Sequence, residues 1–161
     1  MMEREVTTVH DTVVVRRSCA APAARVFAAW SDAAALARWY VPGDGSWSSA
    51  ILAHDFRPGG VKKLEFGPPG ETRYVEDCRY EDIVPNRRIC FVMTILRGQA
   101  PITTSMVTVE LFDRGARTEL VVTDQLAILD GGDTAAGREH GWGETLDKLV
   151  REFAGTEGAP W

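Results

Sequence analysis

Arg138, Glu139 and His140 stand one turn ahead of Trp142 in the segment GREHGWGETLDKLVREF, where apolar residues otherwise recur at helical spacing. Advancing about 100° per residue places Leu146, Leu149, Val150 and Phe153 on one stripe with Trp142. Continuing the stripe backwards brings Glu139, Arg138 and Ala135 onto it and turns His140 to the opposite side. Two charges on a buried stripe cannot enter a dry core alone; they need partners, water or a cavity. In one reading the first turn overhangs the rest of the protein and Arg138 pairs in water with Asp130, Asp133 or Glu139. In the other, Arg138 and Glu139 line the mouth of a pocket, and Gly137, Gly141 and Gly143 leave the room for it.

A second candidate lies in YVEDCRY, where Tyr74, Glu76, Cys78 and Tyr80 share one strand face, as Phe91, Met93 and Ile95 do on the next run. A carboxylate on an otherwise apolar face can orient a ligand or move a proton. Other chemistry finds little support. A calcium loop opening at Asp130 in DGGD needs a glutamate at its twelfth position, which is Gly141. Asp133 reads instead as a helix N-cap. The chain lacks a P-loop, a dinucleotide fingerprint, a G-x-S-x-G elbow and a C-x-x-C pair. His10, His54 and His140 are dispersed, so the sequence calls for no metal and no cofactor, and its catalytic residues stay unassigned.

These residues must be positioned by a single unit. With 161 residues, 45% of them hydrophobic and 25% charged, the chain suits one domain. A net charge of -5 gives no attraction for nucleic acid or an anionic membrane. The pairs Arg16-Arg17, Lys62-Lys63 and Arg87-Arg88 read as solvated strand edges and turns. Three widely spaced cysteines suit reduced thiols. Residues 1–10 lack the apolar centre of a signal peptide and no run has the length of a membrane span, so a cytoplasmic protein is expected.

The pattern predicts a strand over 12–18, two short helices between Pro22 and Pro42, and strands over 47–56, 60–66, 72–83, 88–96, 102–112 and 117–127. A long helix within 129–153 follows, and the tail GTEGAPW reads as frayed. Turn signals between neighbouring strands imply an antiparallel meander. The fold class is α+β: a curved antiparallel sheet of about seven strands gripping its C-terminal helix.

Five stretches in order, APAARVFAAWSDAAALARWYVP, DFRPGGVKKLEF, YEDIVPNRRICFVM, TSMVTVELFDRGARTELVVT and GWGETLDKLV, resemble the SRPBCC superfamily and within it the AHSA1-like group, named after the activator of Hsp90 ATPase homologue. The likeness covers about residues 12–154. It implies the helix-grip fold of START domains and the birch-pollen allergen, with a hydrophobic cavity, in a superfamily that binds lipids, hormones and polyketides and includes a few cyclases and oxygenase subunits. The alanine- and arginine-rich chain resembles bacterial members. Where many of these proteins have H-x-x-G-W, this chain has Arg138 ahead of Gly141-Trp142, an arginine suited to a carboxylate, phosphate or enolate unless it bridges to Glu139 or Glu76. The Hsp90 partnership in the group's name is not carried over, since eukaryotic activators add an N-terminal domain for which this chain has no room.

Three functions compete. The first is a cavity for a small hydrophobic molecule walled by Trp30, Trp39, Tyr74, Phe91, Met93 and Trp142, with Glu76, Arg138 and Glu139 as its polar groups and the VPGDGSW loop as either a lid at its entrance or a plain surface turn. The second is a cyclase, dehydratase or hydrolase in which Arg138 and Glu76 or Glu139 act on a carbonyl compound. The third is an interaction module or homodimer using the exposed sheet face or the 39–47 loop.

Overall fold

The computed structural model describes residues 4–43 and 45–154; the GTEGAPW tail and Asp44 of the expected lid lie outside them. Seven strands form one antiparallel sheet: β1 (Thr8–Cys19), β2 (Ser48–His54), β3 (Val61–Gly67), β4 (Tyr74–Val84), β5 (Arg88–Arg97), β6 (Ala100–Asp113) and β7 (Thr118–Leu129). Their order across the sheet is β1-β7-β6-β5-β4-β3-β2. Five hairpins in succession build β2 to β7, and β1 closes against β7. Helices α1 (Ala23–Ser31) and α2 (Ala33–Trp39) carry the chain from one edge of the sheet to the other. Register shifts at Ile51/Ala53, Tyr80/Asp82 and Ile95/Leu96 mark bulges, the device by which a sheet bends.

Period-two alternation decides what each strand buries. In β1, Val13 and Val15 point inward and Val14 outward. This strand begins at Thr8 rather than at 12, because Thr8–Asp11 pair with β7 although their side chains are exposed, which removes the hydrophobic signal that marks a strand. In β7 the inward set is Thr118, Leu120, Val122, Asp124, Leu126 and Ile128, a greasy face interrupted by one acid.

The last helix, α3, spans Ala135–Ala154 and buries Arg138, Trp142, Thr145, Leu146, Leu149 and Phe153. Its cap is Thr134, whose hydroxyl accepts from Gly137 N–H at 2.9 Å; Asp133, expected in that role, takes Thr134 N–H at 2.7 Å instead. Upstream, Asp130 and Gly131 adopt positive φ of 52° and 67° and turn the chain out of β7. An edge-to-face series of rings ties the helices together: Trp30 to Trp39 at 4.7 Å, Trp39 to Tyr40 at 5.3 Å and Tyr40 to Trp142 at 6.1 Å between centroids.

The turn before α3 rides close over β6, where a Cβ added at Gly132 would lie 2.5 Å from Ile102 Cβ. Gly132→Ala is therefore expected to cost about 1–3 kcal/mol in urea unfolding, the usual penalty for forcing a methyl into filled space. An unchanged unfolding midpoint would show that the turn does not hold α3 at this height.

Candidate functional site

The first half of α3 does not seal against the sheet. A cavity of about 340 Å³ lies between them, walled by Leu64 and Phe66 of β3, Tyr74 and Glu76 of β4, Met93 and Ile95 of β5 and Ile102 of β6. Val41, Pro42 and Trp47, from the loop expected to act as a lid, form one side, and Gly137, Arg138, His140, Gly141, Trp142, Glu144 and Thr145 of α3 form another. The glycines have separate uses: Gly137 lies against the Asp133 and Thr134 side chains, Gly141 faces Pro42, and Gly143 faces Arg17. Trp47, Phe66 and Tyr74 stack with interplanar angles of 11°, 21° and 22°, so part of the wall is a flat aromatic slab. Exposure grades from His140, whose side chain is 77% exposed, through Glu144 at 30% to Glu76 at 8%, giving the cavity a rim and a buried end.

At the α3 wall, Asp124 reaches from β7 with no solvent exposure. Its Oδ2 accepts from Arg138 Nη1 at 2.8 Å and from Trp142 Nε1 at 3.0 Å, while Oδ1 has no partner. Arg138 Nη2 donates to the Thr103 hydroxyl of β6, and its Nε lies 3.4 Å from Asp133 Oδ2. The guanidinium thus spans two strands and its own helix's N-terminus. Because it already faces two carboxylates, the arginine suited by sequence to a carboxylate, phosphate or enolate has little unbalanced charge to offer one.

A second polar group occupies the buried end. Lys62, 1% exposed, places its ammonium 3.2 Å from Glu76 Oε2, with the rings of Tyr40 and Phe91 at 3.9 and 4.2 Å. Glu76 Oε1 accepts from the Tyr40 hydroxyl and Oε2 from the Cys78 thiol, both at 3.3 Å. Burial, the largest single influence, pulls the Lys62 ammonium down, but the Glu76 charge and hydrogen bond together with Cys78 and Tyr80 outweigh it and push Lys62 up to about 12. Burial first, then Glu76, drives the Tyr40 phenol and the Cys78 thiol well above their ordinary ranges. Beside this group, His54 Nε2 meets the Tyr80 hydroxyl at 3.1 Å, and burial with the Lys62 charge lowers the imidazole's affinity for protons.

The residues singled out from sequence separate into three sets. Tyr74, Glu76, Met93, Arg138 and Trp142 line the cavity. Phe91, Trp30 and Trp39 are buried behind it, Phe91 under the Lys62 ammonium and the two tryptophans against each other. Glu139 is exposed, which corrects its assignment to the buried stripe. The stripe is centred slightly to the Arg138 and Thr145 side of Trp142, so a residue about 60° to the other side falls on the flank. His140 points outward as expected and meets Glu144 at 3.2 Å on the rim. Asp124, Thr103, Tyr40 and Lys62 were missed. Lys62 was assigned to a solvated edge with Lys63, yet it shares the inward parity of Leu64 and Phe66 while Lys63 is exposed. Among the described residues no group of three His, Cys, Asp or Glu could hold a metal, and no helix is long and apolar enough to cross a membrane.

The sequence matches the family described as Activator of Hsp90 ATPase homolog 1-like protein over residues 20–154. Among solved structures, the Mll3558 protein from Rhizobium loti is 37% identical, with 91% of this chain and 99% of that one covered and a TM-score of 0.81. A protein from Rhizobium leguminosarum is 33% identical over 91% of this chain and 96% of its own, with a TM-score of 0.82. DynU16, from the dynemicin biosynthetic locus, shares the fold at 23% identity and a TM-score of 0.67, covering 93% of this chain and 49% of that one. No curated protein matches.

Removing Arg138 strands the Asp124 carboxylate in the interior. Arg138→Met is expected to cost about 3–5 kcal/mol in urea unfolding, the usual penalty for an orphaned buried charge. Combining it with Asp124→Asn should recover part of that loss, as a coupling of about 1–3 kcal/mol in a double-mutant cycle. Strict additivity of the two changes would refute a direct interaction.

Proposed function

From the premise that the chain belongs to the Activator of Hsp90 ATPase homolog 1-like family, with matched residues 20–154, we propose that it binds a small amphipathic molecule between α3 and the sheet. The observation that carries this reading is the cavity itself. Its volume of about 340 Å³ falls in the range of small-molecule sites, about 300–1,000 Å³, and its walls combine aromatic and aliphatic side chains with a few fixed polar groups. A packed core would have closed this space, since proteins fill their interiors to crystal-like density. The flat slab of Trp47, Phe66 and Tyr74 suits a planar or alicyclic body better than a flexible chain.

The groups around the buried end whose proton affinities are shifted are poor proton carriers. An acid–base centre works through a group that exchanges its proton near the working pH. The phenol of Tyr40 and the thiol of Cys78 are held protonated far beyond neutrality, and the Lys62 ammonium is held charged. The likeness to DynU16 is one of fold alone.

Fluorescence titration with a neutral apolar dye such as N-phenyl-1-naphthylamine tests the reading. The protein should bind the dye saturably at one site, and Met93→Trp or Ile102→Trp, which fill the cavity from its wall, should weaken binding at least tenfold, about 1.4 kcal/mol. Absence of saturable binding, or equal binding by folded versions of both filled variants, would contradict it.

A further inference from the structure

If the cavity takes a small molecule as proposed, its buried end also dictates what that molecule must carry. We infer that this end selects a neutral hydrogen-bond donor, a hydroxyl or N–H on a flat apolar body, and rejects carboxylates and other anions. The inference rests on which protons are already committed. Glu76 lies 3.2 Å from the Lys62 ammonium and accepts hydrogen bonds from the Tyr40 hydroxyl and the Cys78 thiol, so both of its carboxyl oxygens act as acceptors. Tyr40 also lines the cavity, and with its proton given to Glu76 its oxygen presents lone pairs. Two residues that carry acceptor oxygens, Glu76 and Tyr40, therefore stand in the cavity wall.

The cations nearby do not reverse this. The Lys62 ammonium is 1% exposed, enclosed by Glu76 and the rings of Tyr40 and Phe91, and is not part of the cavity wall. Arg138 is in the wall but faces Asp124 and Asp133 and donates to Thr103. At the rim, Glu144 meets His140, and Lys148 donates to the Val41 carbonyl at 2.7 Å. An anion entering the buried end would give up its hydration to meet the acceptor oxygens of Glu76 and Tyr40, which offer it no hydrogen bond. A hydroxyl gains a charge-assisted bond to Glu76 there, and an ether of the same shape leaves the carboxylate without that bond.

Three probes of one shape test this by isothermal titration: 2-naphthol, 2-methoxynaphthalene and 2-naphthoate. The expected order is 2-naphthol tighter than each of the others by tenfold or more. In Glu76→Gln, which removes the charge and adds a donor, the penalty on 2-naphthoate should shrink to within about threefold of 2-naphthol. The order in the unaltered protein decides the matter even where that variant fails to fold. Equal binding of 2-naphthol and 2-methoxynaphthalene, or tightest binding of 2-naphthoate, overturns the inference, and a neutral dye blocked by the filled variants would then leave the cavity standing without this selectivity. If neither the dye nor any naphthalene binds, the binding function and the selection fall together.

Discussion

One buried carboxylate organises the helix end of this molecule. Asp124 has no access to water, and an isolated charge in that position would cost several kcal/mol, so its acceptance of Arg138 and Trp142 is a condition of folding. Both donors belong to α3, one turn apart, and the same guanidinium reaches Thr103 on β6 and Asp133 ahead of the helix. The first turns of α3 are therefore fixed by polar contacts of defined length. Its last turns are fixed by Leu146, Leu149 and Phe153, which sink into the core without any such constraint.

That division accounts for the shape of the interior. Apolar side chains at the C-terminal end pull the helix as close as packing density permits. An arginine needs the length of its own side chain between helix and strand, so the N-terminal end stands off and a space remains beside it. The Lys62–Glu76 pair then sets the character of the far wall: its charges balance, and Glu76 lines the cavity beside Tyr40 while Lys62 is enclosed behind them. A hollow lined mainly by rings and aliphatic groups, with acceptors at one end, follows from where two ion pairs were buried.

The order of elements was legible because hairpin turns and period-two runs are local signals, and the strand bounds from β2 onward moved by no more than a few residues. Arg138 and Glu76 were legible as polar intruders on apolar faces. Asp124 and Lys62 carried the same signal: each stands at an inward position two residues from apolar neighbours, Val122 and Leu126 for one, Leu64 for the other. Neither stands out locally, because a lone Asp in a long β-branched run resembles an ordinary strand residue and a Lys-Lys pair suggests solvent unless the parity of Leu64 and Phe66 is followed back. Glu139 shows the opposite error, since a wheel locates a stripe to within about one residue's arc and cannot say which flank the neighbouring element covers. The pairing of Arg138 with Asp124 depends on strand register 14 positions away and had no local trace.

Nuclear magnetic resonance of the arginine side chains addresses the central interaction directly. If Arg138 is clamped between Asp124, Asp133 and Thr103, its Nε–H and Nη–H signals will be separately resolved at neutral pH, exchange slowly with water and collapse in Asp124→Asn. A single averaged Arg138 guanidinium signal exchanging as fast as that of a surface arginine would mean that the helix is not held this way and that the hollow beside it has another cause.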